Sequence, residues 1–253
     1  MWFDSHCHLH ICEENAPVVE VISRATRSGV LEMTTIGIDV ASSRRAVEIA
    51  EMGAGIYASV GLHPNSATEW DDTTATALEE LLQHERVVGV GESGLDFYRD
   101  SAPPEVQREV FAAHIELAKT HDKALVIHTR ESLDDALDVL AELGPPARLV
   151  FHCWSGDAER QLTTAVDLGA YISFAGNVSF KNADNLRTAA TAVPHDRLLV
   201  ETDSPYLTPV PHRGKPNEPR QVTFVGLTIA QAREQSVHLV AEQTTQNARR
   251  LFL

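Results

Sequence analysis

Eight short apolar runs, rich in β-branched residues, recur along the chain with helical patterns between them. That alternation restricts the fold to an α/β architecture with a parallel sheet. The runs predict strands over residues 2–8, 33–38, 55–61, 87–91, 124–128, 148–152, 170–174 and 198–203. Several are almost continuously apolar (Leu-Val-Ile, Leu-Val-Phe, Leu-Leu-Val), as strands covered by helices require. Between them the helical period is clear. Val106, Val110, Ala113 and Leu117 step by four, three and four, building one apolar stripe. Pro103-Pro104 suits the opening of that helix. Ser132 is the expected N-cap of the next, which should stop at Gly144-Pro145-Pro146. The expected fold is a single (β/α)8 TIM barrel over residues 1–253, with its active site at the C-terminal ends of the strands. A doubly wound sheet is the alternative.

The chain has 253 residues, 43% of them hydrophobic, and about 250 is typical of one such barrel. A core of that size needs no disulfides. Its three cysteines, Cys7, Cys12 and Cys153, read as reduced thiols. The opening Met-Trp-Phe-Asp-Ser-His has neither a basic n-region nor an apolar h-region, and no stretch approaches the ~20 apolar residues of a membrane span. The expectation is a cytoplasmic monomer with no membrane partner. A formal charge of -15 excludes a broad basic surface for nucleic acid. It leaves room for local phosphate binding through cations. Residues 204–219 hold five of the twelve prolines and read as a stiff loop, with a helical tail after Arg220.

The polar residues of interest fall at or just past predicted strand ends: His6, His8, His63, Glu92, His128, His152 and Asp203. In barrels that face carries catalysis. His6 and His8 are two apart, so on a strand they share one side. Glu92 follows a buried run, and its two oxygens can bridge two cations. His128 and His152 end neighbouring strands, where a pair in register points to a shared ion more strongly than a lone histidine would. Asp203 reads as a ligand that also accepts a proton from metal-bound water, against the bland alternative of a turn aspartate before Ser204-Pro205. Asp4, Glu201 and Asp96 lie close by as partners that orient ligand histidines. Four histidines and two carboxylates suit two divalent cations bridged by Glu92. Zn or Mn fits such ligands better than Mg. Arg213 and Lys215 stand on the rigid loop, where arginine offers a planar fork to phosphate. The remaining histidines read as ordinary surface or loop residues, and His114 as structural. Cys7 and Cys153 should point away from the ligands.

Taken in order, Asp-Ser-His-Cys-His-Leu (4–9), Gly-Leu-His-Pro (61–64), Gly-Glu-Ser-Gly-Leu-Asp (91–96), Ile-His-Thr-Arg (127–130), His-Cys-Trp-Ser-Gly (152–156), Glu-Thr-Asp-Ser-Pro-Tyr-Leu (201–207) and Arg-Gly-Lys-Pro-Asn-Glu-Pro (213–219) resemble the TatD family of metal-dependent deoxyribonucleases, part of the amidohydrolase-like barrels. The resemblance spans nearly the whole chain. It implies phosphodiester hydrolysis in DNA, with removal of nucleotides from 3' ends. By motif match, His6, His8, Glu92 and Asp203 would hold one ion and Glu92, His128 and His152 the other. His63 and Arg213 would meet substrate phosphate, and Asp203 would be the general base. Trp154 stands where many relatives have Phe and would bear on how a base stacks. Two other functions compete: hydrolysis of a small ester, amide or phosphoester, and a non-catalytic metal-holding scaffold. Substrate choice separates the first from a nuclease. An Asp203→Asn variant that kept its cellular function would favour the second.

Overall fold

The structure, a computed structural model, describes residues 1–99 and 101–253. Among these, eight strands pair in parallel in chain order: β1 (Trp2–Cys7), β2 (Val30–Ile36), β3 (Ile56–Val60), β4 (Val87–Asp96), β5 (Ala124–Arg130), β6 (Leu149–Phe151), β7 (Tyr171–Phe174) and β8 (Leu198–Val200). The sheet then closes on itself. Asp203 N–H donates to the His6 carbonyl at 2.9 Å, His8 N–H to the Ser204 carbonyl at 2.8 Å, and Ser5 Oγ to the Val200 carbonyl at 3.0 Å. This is the expected (β/α)8 barrel.

Two layers of packing follow from strand alternation. The larger cluster fills the space between sheet and helices, with Ile127, Phe151, Ile172 and Val200 facing Ile115, Leu140 and Ile229. The smaller one lies inside the barrel near the strand starts and includes Phe3, Val88, Val126, Val150, Tyr171 and Leu199. Phe252, from the helix Val237–Phe252, joins it, and Phe3 stacks between Tyr57 and Phe252 with ring centroids 6.1 and 6.0 Å apart. One end of the barrel is thereby plugged. Polar side chains gather at the other.

Of the register shifts that separate the observed strands from simple alternation, two lie beside the polar rim. Asp4 to Cys7 spans three residues on β1 where Met33 to Thr35 spans two on β2. Val90 to Ser93 likewise opposes Leu125 to Ile127. Each is a bulge, which re-aims the side chains it carries. The second bulge holds Gly91 and Glu92 and lets β4 continue to Asp96, five residues past its expected end. Gly91 has φ 131, and a Cβ there would lie 2.4 Å from the Val126 carbonyl oxygen, so only glycine fits.

The helix Pro104–Thr120 opens at Pro103 as expected, and Leu133–Leu143 stops at Gly144. Ser132 does not cap the latter with its side chain. Its Oγ donates to the Leu95 carbonyl at 2.6 Å, tying the helix start to β4 instead.

His114 is structural. It is fully buried, its Nε2 accepts from Leu62 N–H at 3.0 Å, and its Nδ1–H donates to the Val110 carbonyl at 2.8 Å. Burial pushes its pKa from 6.5 to about 4. The unfolded chain therefore binds a proton near pH 6.5 that the native state refuses until about pH 4. The stabilisation from a neutral His114 is present above pH 6.5, is lost as pH falls towards 4, and is flat below. Between pH 7 and 5 the chain should lose about 2 kcal/mol relative to a His114→Gln variant in urea unfolding. A pH-independent difference between the two would contradict this.

Candidate metal centre

His6 is the penultimate residue of β1, and His8 is the N-cap of the short helix Leu9–Cys12. His63 follows β3, Glu92 sits in the β4 bulge, His128 lies on β5, and His152 follows β6 directly. Asp203 lies three residues past β8, beyond the strand expected to carry it. Its φ of 54 is left-handed, a conformation that aspartate tolerates better than most residues. The result is that seven groups far apart in sequence meet at one rim.

The carboxylate of Glu92 divides them. Its Oε2 faces His6 Nε2 at 3.5 Å and His8 Nε2 at 3.7 Å, while Asp203 Oδ1 lies 3.7 and 3.4 Å from the same two nitrogens. Its Oε1 faces His128 Nδ1 at 2.8 Å and His152 Nε2 at 2.9 Å. Within each set the nitrogens lie 3.2 Å apart. Ligands at ~2.0–2.1 Å from a tetrahedral ion would be about 3.3 Å from one another, so these separations suit donors that share a cation.

Hydrogen bonds on the far side of three of the four rings fix which nitrogen is free, while His6 Nδ1 is buried without a partner among the described residues. His8 Nδ1 meets the Ile36 carbonyl at 3.0 Å and must carry the proton, which leaves Nε2 as a lone pair. His152 Nδ1 meets Glu201 Oε1 and His128 Nε2 meets Asp96 Oδ2, each at 3.2 Å, with the same consequence. His63 is the reverse. Its Nδ1 accepts from Asn65 N–H at 3.1 Å, so the proton sits on Nε2, 3.6 Å from Glu92 Oε1. His63 therefore offers a donor to the cavity rather than a ligand. A further grouping of His6, His152 and Glu201 is close enough to share an ion. Glu201, however, already accepts from His152 and from Cys153 N–H at 2.8 Å, which makes it an orienting group.

Of the three expected orienting carboxylates, Glu201 and Asp96 hold imidazoles. Asp4 does not. It accepts from Thr202 N–H at 2.8 Å and Thr202 Oγ1–H at 2.6 Å, joining β1 to the end of β8, and burial raises its pKa well above the usual range.

Electrostatics follow the same division. Burial alone would raise Glu92, but His152, His128 and His6 outweigh it and hold the carboxyl well below its ordinary value. Asp203 is lowered against burial by His8, His6 and His152. Burial, followed by the nearby His152, lowers His6. Burial brings His63 down to about 3, so it is neutral near pH 7. Burial also opposes charge on His152, yet Glu92 and Glu201 lift it well above 6.5. In the absence of cations, the donor cluster holds protons that metal binding must displace.

The cluster floors a cavity of about 680 Å³. Arg213, expected at substrate phosphate, does not line it. Its guanidinium stacks 3.9 Å from the Phe180 ring centre and donates to the Thr208 carbonyl at 3.4 Å. The cations on the wall are Arg99 and Arg130, which motif reading passed over because neither stands on the proline-rich loop. Trp154 is buried against Phe151, so it cannot stack a base. Cys153 does line the cavity, contrary to its expected outward direction. β6 ends at Phe151, and Cys153 has φ 45, so alternation no longer applies there. Burial raises its thiol well above 9, which keeps it from acting as a nucleophile.

A barrel that gathers lone-pair imidazoles around a buried carboxylate at its catalytic rim defines a metal-dependent hydrolase. The chain belongs to the TatD family, since the family model described as TatD related DNase matches residues 3–253. It is 42% identical to an uncharacterized metal-dependent hydrolase, TatD, of Mycobacterium tuberculosis (98% of this chain, 97% of that one). It is 40% identical to another, YabD, of Bacillus subtilis (100% and 99%). Among solved structures, the TatD homologue YJJV of Escherichia coli superposes with a TM-score of 0.93 at 28% identity, covering 99% of this chain and 97% of that one. No helix among the described residues is long and apolar enough to cross a membrane.

Proposed function

We propose that this chain hydrolyses phosphodiester bonds in DNA, using two divalent cations held on either side of Glu92. The observation that carries the reading is the split of one buried carboxylate, with one oxygen towards His6 and His8 and the other towards His128 and His152. The description of the matching family as a DNase supports DNA as the substrate. When bound, such a cation pair would polarise the phosphodiester and make hydroxide available near neutral pH.

The chain's own residues divide the remaining work. Both Glu92 oxygens face imidazoles, so Glu92 is a poor proton acceptor. Asp203 is the better base: its side chain is 14% exposed, it lines the cavity, and its neighbours keep it ionised. It takes the proton of the attacking solvent molecule. His63, neutral with its proton on Nε2, donates to a phosphate oxygen without contributing charge. Asp96 and Glu201 hold His128 and His152 in the tautomers that face Glu92.

The test is incubation with defined single- and double-stranded DNA plus Mg2+, Mn2+ or Zn2+. Cleavage that a chelator abolishes and added metal restores is the expected result. Absence of cleavage with every metal would refute the reading, and turnover confined to a small ester would transfer the site to that chemistry.

A further inference from the structure

The cavity wall on the β4–β5 side carries a device that the two-cation reading leaves unused. Arg130 is two residues beyond His128 on β5, so the two share a side of the strand, roughly 6.6–6.8 Å apart along it. Its guanidinium lies over the Tyr98 ring, 3.7 Å from the centroid. Stacking engages the flat face and leaves the edge N–H groups pointing outward. Among the described residues Arg130 enters no ion pair, and its side chain donates no hydrogen bond.

The platform is built rather than incidental. Asp96 Oδ1 accepts from the backbone N–H groups of Tyr98 and Arg99, both at 3.1 Å, while its Oδ2 meets His128. The carboxylate that orients a candidate ligand therefore also sets the turn that carries the aromatic plate. Arg130 is fixed from its own side: its carbonyl accepts from Phe97 N–H at 2.9 Å and its N–H donates to Ser132 Oγ at 3.2 Å.

The opposite rim has a different character. Beyond Tyr206 a second hollow is lined by Glu14, Asp39 and Arg45. Arg45 is already held by Glu13 at 2.5 Å and Glu48 at 2.7 Å. A polyanion in the cavity meets a guanidinium with no ion-pair partner among the described residues on one side and carboxylates on the other. In a chain of net charge -15, that local difference decides where a second negative group can rest.

We propose that Arg130, braced on Tyr98, is the receptor for a second phosphate of the substrate, adjoining the one that is cleaved. This rests on the phosphodiesterase reading, and it places at β5 a role that motif matching assigns to Arg213. A guanidinium edge fits a phosphate with two parallel N–H···O bonds.

Calorimetric titration with thymidine 5'-monophosphate and with thymidine 3',5'-bisphosphate tests it without turnover. The native protein should bind the bisphosphate about 10- to 100-fold more tightly. Arg130→Gln should lose that advantage while binding the monophosphate unchanged. Arg130→Lys should retain part of it, and Arg44→Gln, an equal loss of charge on an exposed helix position, should retain all of it. Equal affinity of the native protein for the two probes would overturn the proposal. So would an advantage that survives in Arg130→Gln, or one lost in Arg213→Gln instead. Circular dichroism melts of each variant separate lost binding from lost fold. DNA cleavage is scored separately: a native protein that shows the Arg130-dependent advantage but cleaves no DNA keeps this receptor and refutes the nuclease reading.

Discussion

Glu92→Gln is expected to reduce turnover by about 10²-fold or more and to lower the metal content of the purified protein, because loss of even a group that supports a metal ligand costs about 10–100-fold. The substitution preserves size but replaces one carboxylate oxygen with an amide N–H2, which donates and cannot ligate. One of the two imidazole sets then loses its shared oxygen, and the site loses a buried negative charge. Around Glu92 lie His152, His128 and His6 within 3.5 Å, so a donor turned towards either pair meets nitrogens with no acceptor role left once a cation binds. Activity assays together with metal analysis by mass spectrometry check this. Full activity with unchanged metal content would mean that the carboxylate is a bystander.

Asp203→Asn should separate the two roles assigned to Asp203. The amide oxygen can still stand 3.4 Å from His8 Nε2, so a large part of the metal should remain. Proton acceptance is gone. Turnover should therefore fall by about 10²–10⁴-fold with much smaller loss of metal, and the pH profile should lose its acidic limb. Equal proportional loss of metal and rate would make Asp203 a ligand only, and an unaffected rate would remove it from catalysis.

These outcomes depend on how the chain places its donors, and the sequence disclosed that unevenly. The barrel was legible because eight apolar runs with helical stripes between them admit few arrangements. The imidazole positions were legible because His6, His128 and His152 each stand where a buried run gives way to polar residues, and runs end at the catalytic rim. The bulges were not. Alternation read straight through Gly91 ends β4 at that residue, whereas the extra residue turns Glu92 inward and lets pairing resume as far as Asp96. A glycine directly before a carboxylate was the available signal, since glycine within a strand marks a bulge or a close backbone approach.

Three side chains lie elsewhere than the sequence suggests, for related reasons. Ser132 has the residue type of a cap, but the Leu95 carbonyl competes for its hydroxyl. Cys153 follows a strand three residues long, so parity counted from that strand says little about its direction. Arg213 was selected for its motif and its rigid loop, yet Phe180 offers its guanidinium a ring at 3.9 Å. Arg130 belongs to an equally plain motif, Ile-His-Thr-Arg. Only the fold reveals that the strand carries it past His128 to the cavity wall.

The central claim is that Glu92 lies between two cations. Crystals grown with Mn2+ or Zn2+ and measured on both sides of the metal absorption edge test it most directly. The account predicts two anomalous peaks about 3.5–4 Å apart, one beside His6 and His8, the other beside His128 and His152, with the Glu92 carboxylate between them. A single peak, or two peaks that leave Glu92 outside, would contradict it.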